Sequence, residues 1–252
     1  MFKWIKITNR PIIIAHRGAS AVAPENTVSA FLKAVETKAD AVELDIRITC
    51  DNEIVVIHDS RLDRTTNGHG RVSDFTLEEI KKLDAGSWFH SKFYKEQIPT
   101  FSEIIESLTQ KVGINIEIKP SNTQQNIIIR KCVELIQKNK LHKRVLISSF
   151  QHRLTQKIKL IDKNILTGII YSPMIHLGAK PANLVTKYKA DAFIISKNYL
   201  RENIVRDVQS CGAIVLVYTV ENYDDFRRMS KFGVDGVMTN SPSSIYKMIN
   251  LV

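Results

Sequence analysis

The sequence is poor in cysteine, in long apolar runs and in the short signatures of nucleotide, serine-hydrolase and zinc-protease chemistry. Its three cysteines, Cys50, Cys132 and Cys211, lie far apart in 252 residues. That spacing offers neither a disulfide framework nor a zinc-ligand set, and it points to a reducing compartment. No stretch approaches the roughly 18 apolar residues of a membrane span. The opening residues Met1-Phe2-Lys3-Trp4-Ile5-Lys6 lack the apolar core of a secretory signal. A soluble, cytoplasmic protein is therefore expected. Neither GxGxxG nor GxxxxGK(S/T) occurs, and GxSxG and HExxH are missing as well. With no linker, low-complexity stretch or second core, residues 1–252 are expected to form a single domain.

The composition that remains is ordinary for a globular chain, 44% hydrophobic and 25% charged, which excludes disordered, collagen-like and coiled-coil classes. Lys and Arg total 36 against 26 Asp and Glu, a net charge of +10. Such a balance favours anionic partners: phosphate compounds, membrane surfaces or nucleic acid. No nucleic-acid-binding motif accompanies it, so nucleic acid is not expected. Oligomeric state leaves no sequence signal.

Short apolar runs alternate with amphipathic ones. Strands are predicted at 11–16, 41–49, 54–58, 113–119, 145–150, 166–171, 192–196, 213–220 and 236–240. Val28, Phe31, Leu32 and Val35 recur at helical spacing. Thr76-Leu77-Glu78-Glu79 and Thr100-Phe101-Ser102-Glu103 read as capping boxes. Ser241-Pro242 reads as a helix start, with Ile245, Met248 and Ile249 inward. One turn pattern recurs: Lys38-Ala39-Asp40-Ala41, Lys189-Ala190-Asp191-Ala192 and Gly233-Val234-Asp235-Gly236 each close a helix and open a strand. Residues 50–53 are too few for a parallel crossover, so the second and third strands form an antiparallel hairpin. Eight strand–helix units remain. They predict an α/β fold, a (β/α)8 TIM barrel, with an open doubly wound sheet as runner-up. Residues 59–99 break the alternation and are read as a small inserted subdomain after strand two, over the C-terminal end of the barrel. Its aromatics, Trp88, Phe89, Phe93 and Tyr94, either form its own small core or meet a membrane surface.

Strand alternation brings out the chemistry. Val42, Leu44, Ile46 and Ile48 share one face of their strand, Glu43, Asp45 and Arg47 the other. Ile114, Ile116 and Ile118 likewise oppose Asn115, Glu117 and Lys119. With the apolar faces packed on helices, Glu43, Asp45 and Glu117 converge on the barrel axis. Three converging carboxylates need a counter-charge. A hard cation, Mg²⁺ or Ca²⁺, supplies it, or else an ion-pair network with Arg17, Arg47 and Lys119. His16 ends the first strand. A hairpin centred near Asp51 sets His58 opposite Leu44, level with the acids. Two histidines there suggest a general acid and a general base, in either order, with Arg17 and Lys119 on a phosphoryl group. His69, His90, His142, His152 and His176 are left structural or exposed, with His69 and His90 able to line a substrate path. Tyr218, flanked by outward Val217 and Thr219, should point inward.

Taken together, His16-Arg17-Gly18, Pro24-Glu25-Asn26-Thr27, Glu43-Leu44-Asp45, His58-Asp59 and Arg64-Thr65-Thr66 resemble the glycerophosphodiester phosphodiesterase family. Ile98-Pro99-Thr100, Glu117-Ile118-Lys119, Ser148-Ser149-Phe150 and Gly233-Val234-Asp235-Gly236 continue the match in order. The resemblance implies a TIM barrel and one divalent cation on Glu43, Asp45 and Glu117. It implies His16 and His58 as the acid–base pair and Arg17 and Lys119 on the phosphate. The glycerol or alcohol pocket would include Tyr218 and Phe150. The implied reaction is hydrolysis of a small-molecule glycerophosphodiester, such as glycerophosphocholine, to glycerol 3-phosphate and an alcohol. Lysophospholipid hydrolysis of the lysophospholipase D type, with peripheral membrane contact, and a non-catalytic phosphodiester-binding barrel are the alternatives. Three positions depart from the family pattern: Tyr218 stands for Trp, Glu221 for Asn and Asn240 for Asp. Tyr218 and Glu221 are expected to affect the fit of the glycerol or alcohol moiety, and Asn240 to cap the last helix.

Overall fold

The computed structural model describes residues 2, 4, 10–109, 111–119, 124–176 and 178–249. The apolar runs become nine strands: Ile12–His16 (β1), Ala41–Ile48 (β2), Ile54–Val56 (β3), Gly113–Ile118 (β4), Val145–Ser149 (β5), Leu166–Tyr171 (β6), Ala192–Ser196 (β7), Ile214–Tyr218 (β8) and Gly236–Thr239 (β9). The helices between them are Val28–Glu36 (α1), Leu77–Ile80 (α2), Phe101–Ser107 (α3), Gln125–Lys138 (α4), His152–Ile161 (α5), Pro181–Tyr188 (α6), Glu202–Ser210 (α7), Tyr223–Phe232 (α8) and Pro242–Ile249 (α9). Parallel β1 pairs with both β2 and β9, so eight strands close into a (β/α)8 barrel and the open-sheet alternative falls. β3 is the antiparallel exception. Its register on β2, Ile46 opposite Val56 and Ile48 opposite Ile54, extends to His58 opposite Leu44, as the hairpin predicts. Several strands are shorter than the sequence suggests, because their last residues leave the sheet at the C-terminal rim, where the site lies.

Strand alternation sorts the core. Val42, Leu44, Ile46, Ile114, Ile116 and Ile118 face outward against α1, α3 and α4. Ile12, Ile14, Leu146, Ile194, Leu216 and Met238 fill the barrel interior, which Phe2 and Trp4 plug from below. Gly113 has no side chain because a Cβ there would lie 2.3 Å from the Phe2 ring. On α1 the buried stripe is Ala30, Phe31 and Ala34, while Leu32, one of the four apolar residues at helical spacing, is exposed. The two alanines lie one turn apart and let the helix approach the sheet closely. Both capping boxes form, at Thr76 with Glu79 and at Thr100 with Glu103. In α9 Ile245 is buried and Ile249 packs on the core. The Met248 side chain lies outside the described residues.

The recurring turn is one structure used three times. Lys38, Lys189 and Gly233 all adopt left-handed φ. The next residue closes back on the helix, Ala39 N–H to Ala34 O, Ala190 N–H to Val185 O and Val234 N–H to Met229 O. The aspartate that follows accepts a backbone N–H from the strand beside it: Asp40 from Ile13, Asp191 from Thr167 and Asp235 from Val215, at 2.7–2.8 Å. Each turn therefore ends one helix and fixes the register of two strands.

Residues 59–99 carry a cluster of their own: Leu62, Val72, Ile80, Ala85 and Ile98 pack on Val55 and Ile57. The aromatics are not that core. Trp88 and Tyr94 are exposed, and Trp88, Phe89 and Phe93 meet edge to face. The segment abuts the start of α1, where Ser29 Oγ donates to Glu96. No helix among the described residues is long and apolar enough to cross a membrane.

Candidate active site

Register brings the acids together. Glu43 lies beside His16 across β1–β2, and Asp45 beside Glu117 across β2–β4. All three carboxyls are buried, and each offers an oxygen within 4.8 Å of the others. Lys119, just past β4, sets Nζ 2.9 Å from Asp45 Oδ1 and 2.5 Å from Glu117 Oε1. Asn26 clamps Asp45: its Nδ2 donates to Oδ2 at 2.8 Å, and its Oδ1 accepts the Asp45 N–H. Arg17 lies left-handed at φ +58, donates its backbone N–H to Glu43 Oε2 at 3.0 Å, and holds Nε 3.4 Å from Asp45. Gly18 follows at φ +82, and a Cβ there would strike Ala30 at 2.7 Å. Glycine alone fits after Arg17.

The charges do not balance. Burial would raise Asp45, but Lys119 and Arg17 override it and hold the carboxyl well below its usual range. Glu43 goes the other way: burial, with Asp45 and Glu117 beside it, pushes it well above the ordinary value. Burial also raises Glu117 despite Lys119. Arg47 does not help. Its Nε donates to the His58 carbonyl at 2.8 Å, and among the described residues it pairs with none of the three acids. An ion-pair network of Arg17, Arg47 and Lys119 is thus one cation short. Three oxygen-donor groups with surplus negative charge fit a hard divalent cation.

His16 and His58 face one cavity of about 250 Å³. His16 Nε2 is 3.9 Å from Glu43 Oε2, and its Nδ1 is 2.8 Å from Asn240 Oδ1. Burial, with Arg17 nearby, lowers His16 to about 4. His16 is therefore neutral at pH 7. His58 is lowered by burial too, against the pull of Asp45. His58 Nδ1 lies 2.6 Å from Asp59 Oδ1. Arg64 holds Asp59 and also Glu25, which in turn takes Arg17 Nη1 at 2.9 Å. One ionic chain therefore runs from His58 round to Arg17. Polar groups come from β1, β2, β4 and their loops. Phe150, Ile170, Ile194, Tyr218 and Met238 form the opposite, apolar wall. Tyr218 points inward as expected, and burial beside Glu117 pushes its hydroxyl up to about 12. Larger concavities, about 400 Å³ beside α4 and about 860 Å³ under the barrel, contain none of these groups.

Comparison with known proteins agrees with this arrangement. The model of the glycerophosphoryl diester phosphodiesterase family matches residues 16–244. The chain belongs to this family. Members are phosphoric diester hydrolases, and so is this enzyme. A glycerophosphodiester phosphodiesterase of Caldanaerobacter subterraneus is 39% identical over 244 residues, covering 96% of this chain and 98% of its own. One from Bacillus subtilis is 35% identical, covering 95% and 87%. An Oleispira antarctica phosphodiesterase, solved in complex with the product sn-glycerol-3-phosphate, superposes with a TM-score of 0.87 at 29% identity, covering 96% and 97%.

Among the family motifs, Glu25, Asn26, Asp59 and Arg64 have site contacts that spacing alone did not reveal. Their sole sequence signal is that they sit inside the quoted motifs. Two departures from the family pattern prove to be one feature. Asn240 Nδ2 donates to Glu221 Oε1 at 2.9 Å. Asn240 spends its side chain there and on His16 rather than capping α9, and neither residue lines the cavity. His69 and His90 do not line it either. His142 pairs with Asp162, and His152 stacks on His176.

Proposed function

We propose that the enzyme hydrolyses glycerophosphodiesters such as glycerophosphocholine to glycerol 3-phosphate and an alcohol, with His16 and His58 moving the protons. One observation carries this reading: two histidines, two cations and the buried carboxyls Glu43 and Glu117 line a single cavity of about 250 Å³, with Asp45 clustered beside them. Glu43, Asp45 and Glu117 would hold Mg²⁺ or Ca²⁺, which when bound neutralises charge on the phosphate oxygens. Arg17 and Lys119 bind and orient the phosphoryl group. His16 removes the proton of the attacking hydroxyl, from water or from the substrate's own glycerol. His58 enters the cycle as an imidazolium, a form that Asp59 on its Nδ1 stabilises and that the neutral Asn240 does not favour for His16, and gives its Nε2 proton to the leaving alkoxide. Phe150 and Tyr218 enclose the glycerol or alcohol moiety. A cavity of this size suits a small head group better than an acyl chain, which disfavours the lysophospholipase reading. The complete polar set disfavours a non-catalytic barrel. We assign residues 1–252 to one domain and, from three free cysteines, the enzyme to the cytoplasm.

The test is release of glycerol 3-phosphate from a panel of glycerophosphodiesters, with and without chelator. Turnover is expected to vanish on chelation and return with Mg²⁺ or Ca²⁺. Full activity in protein shown by elemental analysis to be metal-free would overturn the metal assignment.

A further inference from the structure

Behind His16, away from the cavity, a hydrogen-bonded chain crosses the seam where the barrel closes. Pairing of Ala15 with Thr239 brings Asn240, just past β9, alongside His16. Glu221 lies three residues past β8. The chemistry of this chain allows one orientation. The Glu221 carboxylate only accepts hydrogen bonds, so the Asn240 amide nitrogen must face it, at 2.9 Å. The Asn240 carbonyl oxygen then faces His16 Nδ1, at 2.8 Å, with Ser20 Oγ 3.0 Å from the same oxygen. A carbonyl oxygen can only accept, so the proton sits on Nδ1. Nε2 is left bare, and it is the nitrogen on the Glu43 side.

We propose that Glu221 and Asn240 are positioning residues, which hold His16 as the Nδ1–H tautomer with the Nε2 lone pair directed at the reacting phosphate. The inference rests on the reading of His16 as a proton-transfer group. His58 takes its orientation from a carboxylate that touches it directly. His16 takes its orientation from a carboxylate one amide away, which fixes the tautomer while keeping the negative charge off the ring.

The experiment compares wild type, His16→Ala, Asn240→Leu, Glu221→Ala and the double variant Asn240→Asp/Glu221→Gln. Each is assayed on glycerophosphocholine or any other active substrate of the panel, with melting temperature and imidazole ¹⁵N spectra. Asn240→Leu is expected to lower kcat roughly 10–100-fold, the usual scale for losing an outer partner of a site group, with KM and melting temperature near wild type and loss of the pure Nδ1–H signature. Glu221→Ala, at an exposed position, loses less. The double variant moves the acceptor-only group next to His16 and supplies an amide donor behind it. The tautomer is again fixed, and kcat and spectrum should return towards wild type. Asn240→Leu at wild-type kcat while His16→Ala is strongly impaired would overturn the positioning role alone, as would a double variant no better than Asn240→Leu. A near-normal His16→Ala would instead overturn the acid–base reading beneath it.

Discussion

The two ends of the barrel use carboxylates in opposite ways. At the N-terminal end Asp40, Asp191 and Asp235 each accept a backbone N–H from the adjacent strand. Each satisfies a donor and ties two units together. At the C-terminal end Glu43, Asp45 and Glu117 face one another in a buried space with too few cations. The same chemical group knits the fold at one end and strains it at the other. A barrel can hold such a cluster because its stabilising contacts lie elsewhere.

Three experiments would break or sharpen that contrast. The largest effect is expected for the histidines at the C-terminal end. His16→Ala and His58→Ala should each lower kcat roughly 10²–10⁴-fold, the range for a lost general acid or base, with little change in melting temperature. A p-nitrophenyl leaving group, which needs little protonation, should rescue His58→Ala and leave His16→Ala impaired. Rescue of His16→Ala instead would reverse their roles.

The next experiment exchanges the two uses directly. Asp235→Ala strands the Val215 N–H and should cost about 1–3 kcal/mol of stability with kcat unchanged. Glu43→Gln removes the unbalanced charge, and it should make the metal-free protein more stable by roughly 0.5–2 kcal/mol while activity is lost. Denaturant unfolding of chelated protein measures both. Two losses of equal size would erase the distinction between the ends.

The smallest effect tests the turn itself. Lys189 holds left-handed φ where its repeat partner Gly233 needs no side-chain accommodation. Lys189→Gly should therefore leave stability level or raise it by up to about 1 kcal/mol. A loss of that size in the melting curve would mean the lysine side chain contributes more than its backbone strain costs.

Much of this was legible in the sequence because it follows from period-two alternation. Glu43 and Asp45 point inward since Val42, Leu44 and Ile46 must point out. The hairpin centre at Asp51 was enough to set His58 level with them. Strand and helix alternation, with one pair too close for a crossover, produced the barrel. Other contacts were not legible, because their partners meet only when the chain closes. Asn240 and His16 are 224 positions apart and adjacent only through the β1–β9 seam. Arg64 reaches Glu25 from a loop without periodicity. The exposure of Leu32 was not legible, because helical spacing gives the angle of a stripe but not its centre. Ala30 and Ala34, too small to dominate an apolar pattern, set that centre by allowing close approach. The alternative ion-pair network included Arg47 because alternation gives a side chain's face and not its partner, which is the His58 carbonyl.

The division of the cavity into a polar arc and an apolar arc has a consequence for how this enzyme can change. Every proposed ligand, proton carrier and phosphate contact comes from residues 16–119, whereas the apolar wall of the cavity comes from residues 150–238. Substitutions at Phe150, Ile170, Ile194, Tyr218 or Met238 can reshape the wall without displacing a reacting group. On the proposed reading, the chemistry belongs to one half of the chain and the choice of alcohol to the other. A lineage of such enzymes can therefore explore new substrates by varying its second half alone, or by recombining halves at the α4 crossover. At the β1–β9 seam the later half also reaches back, where Asn240 meets His16.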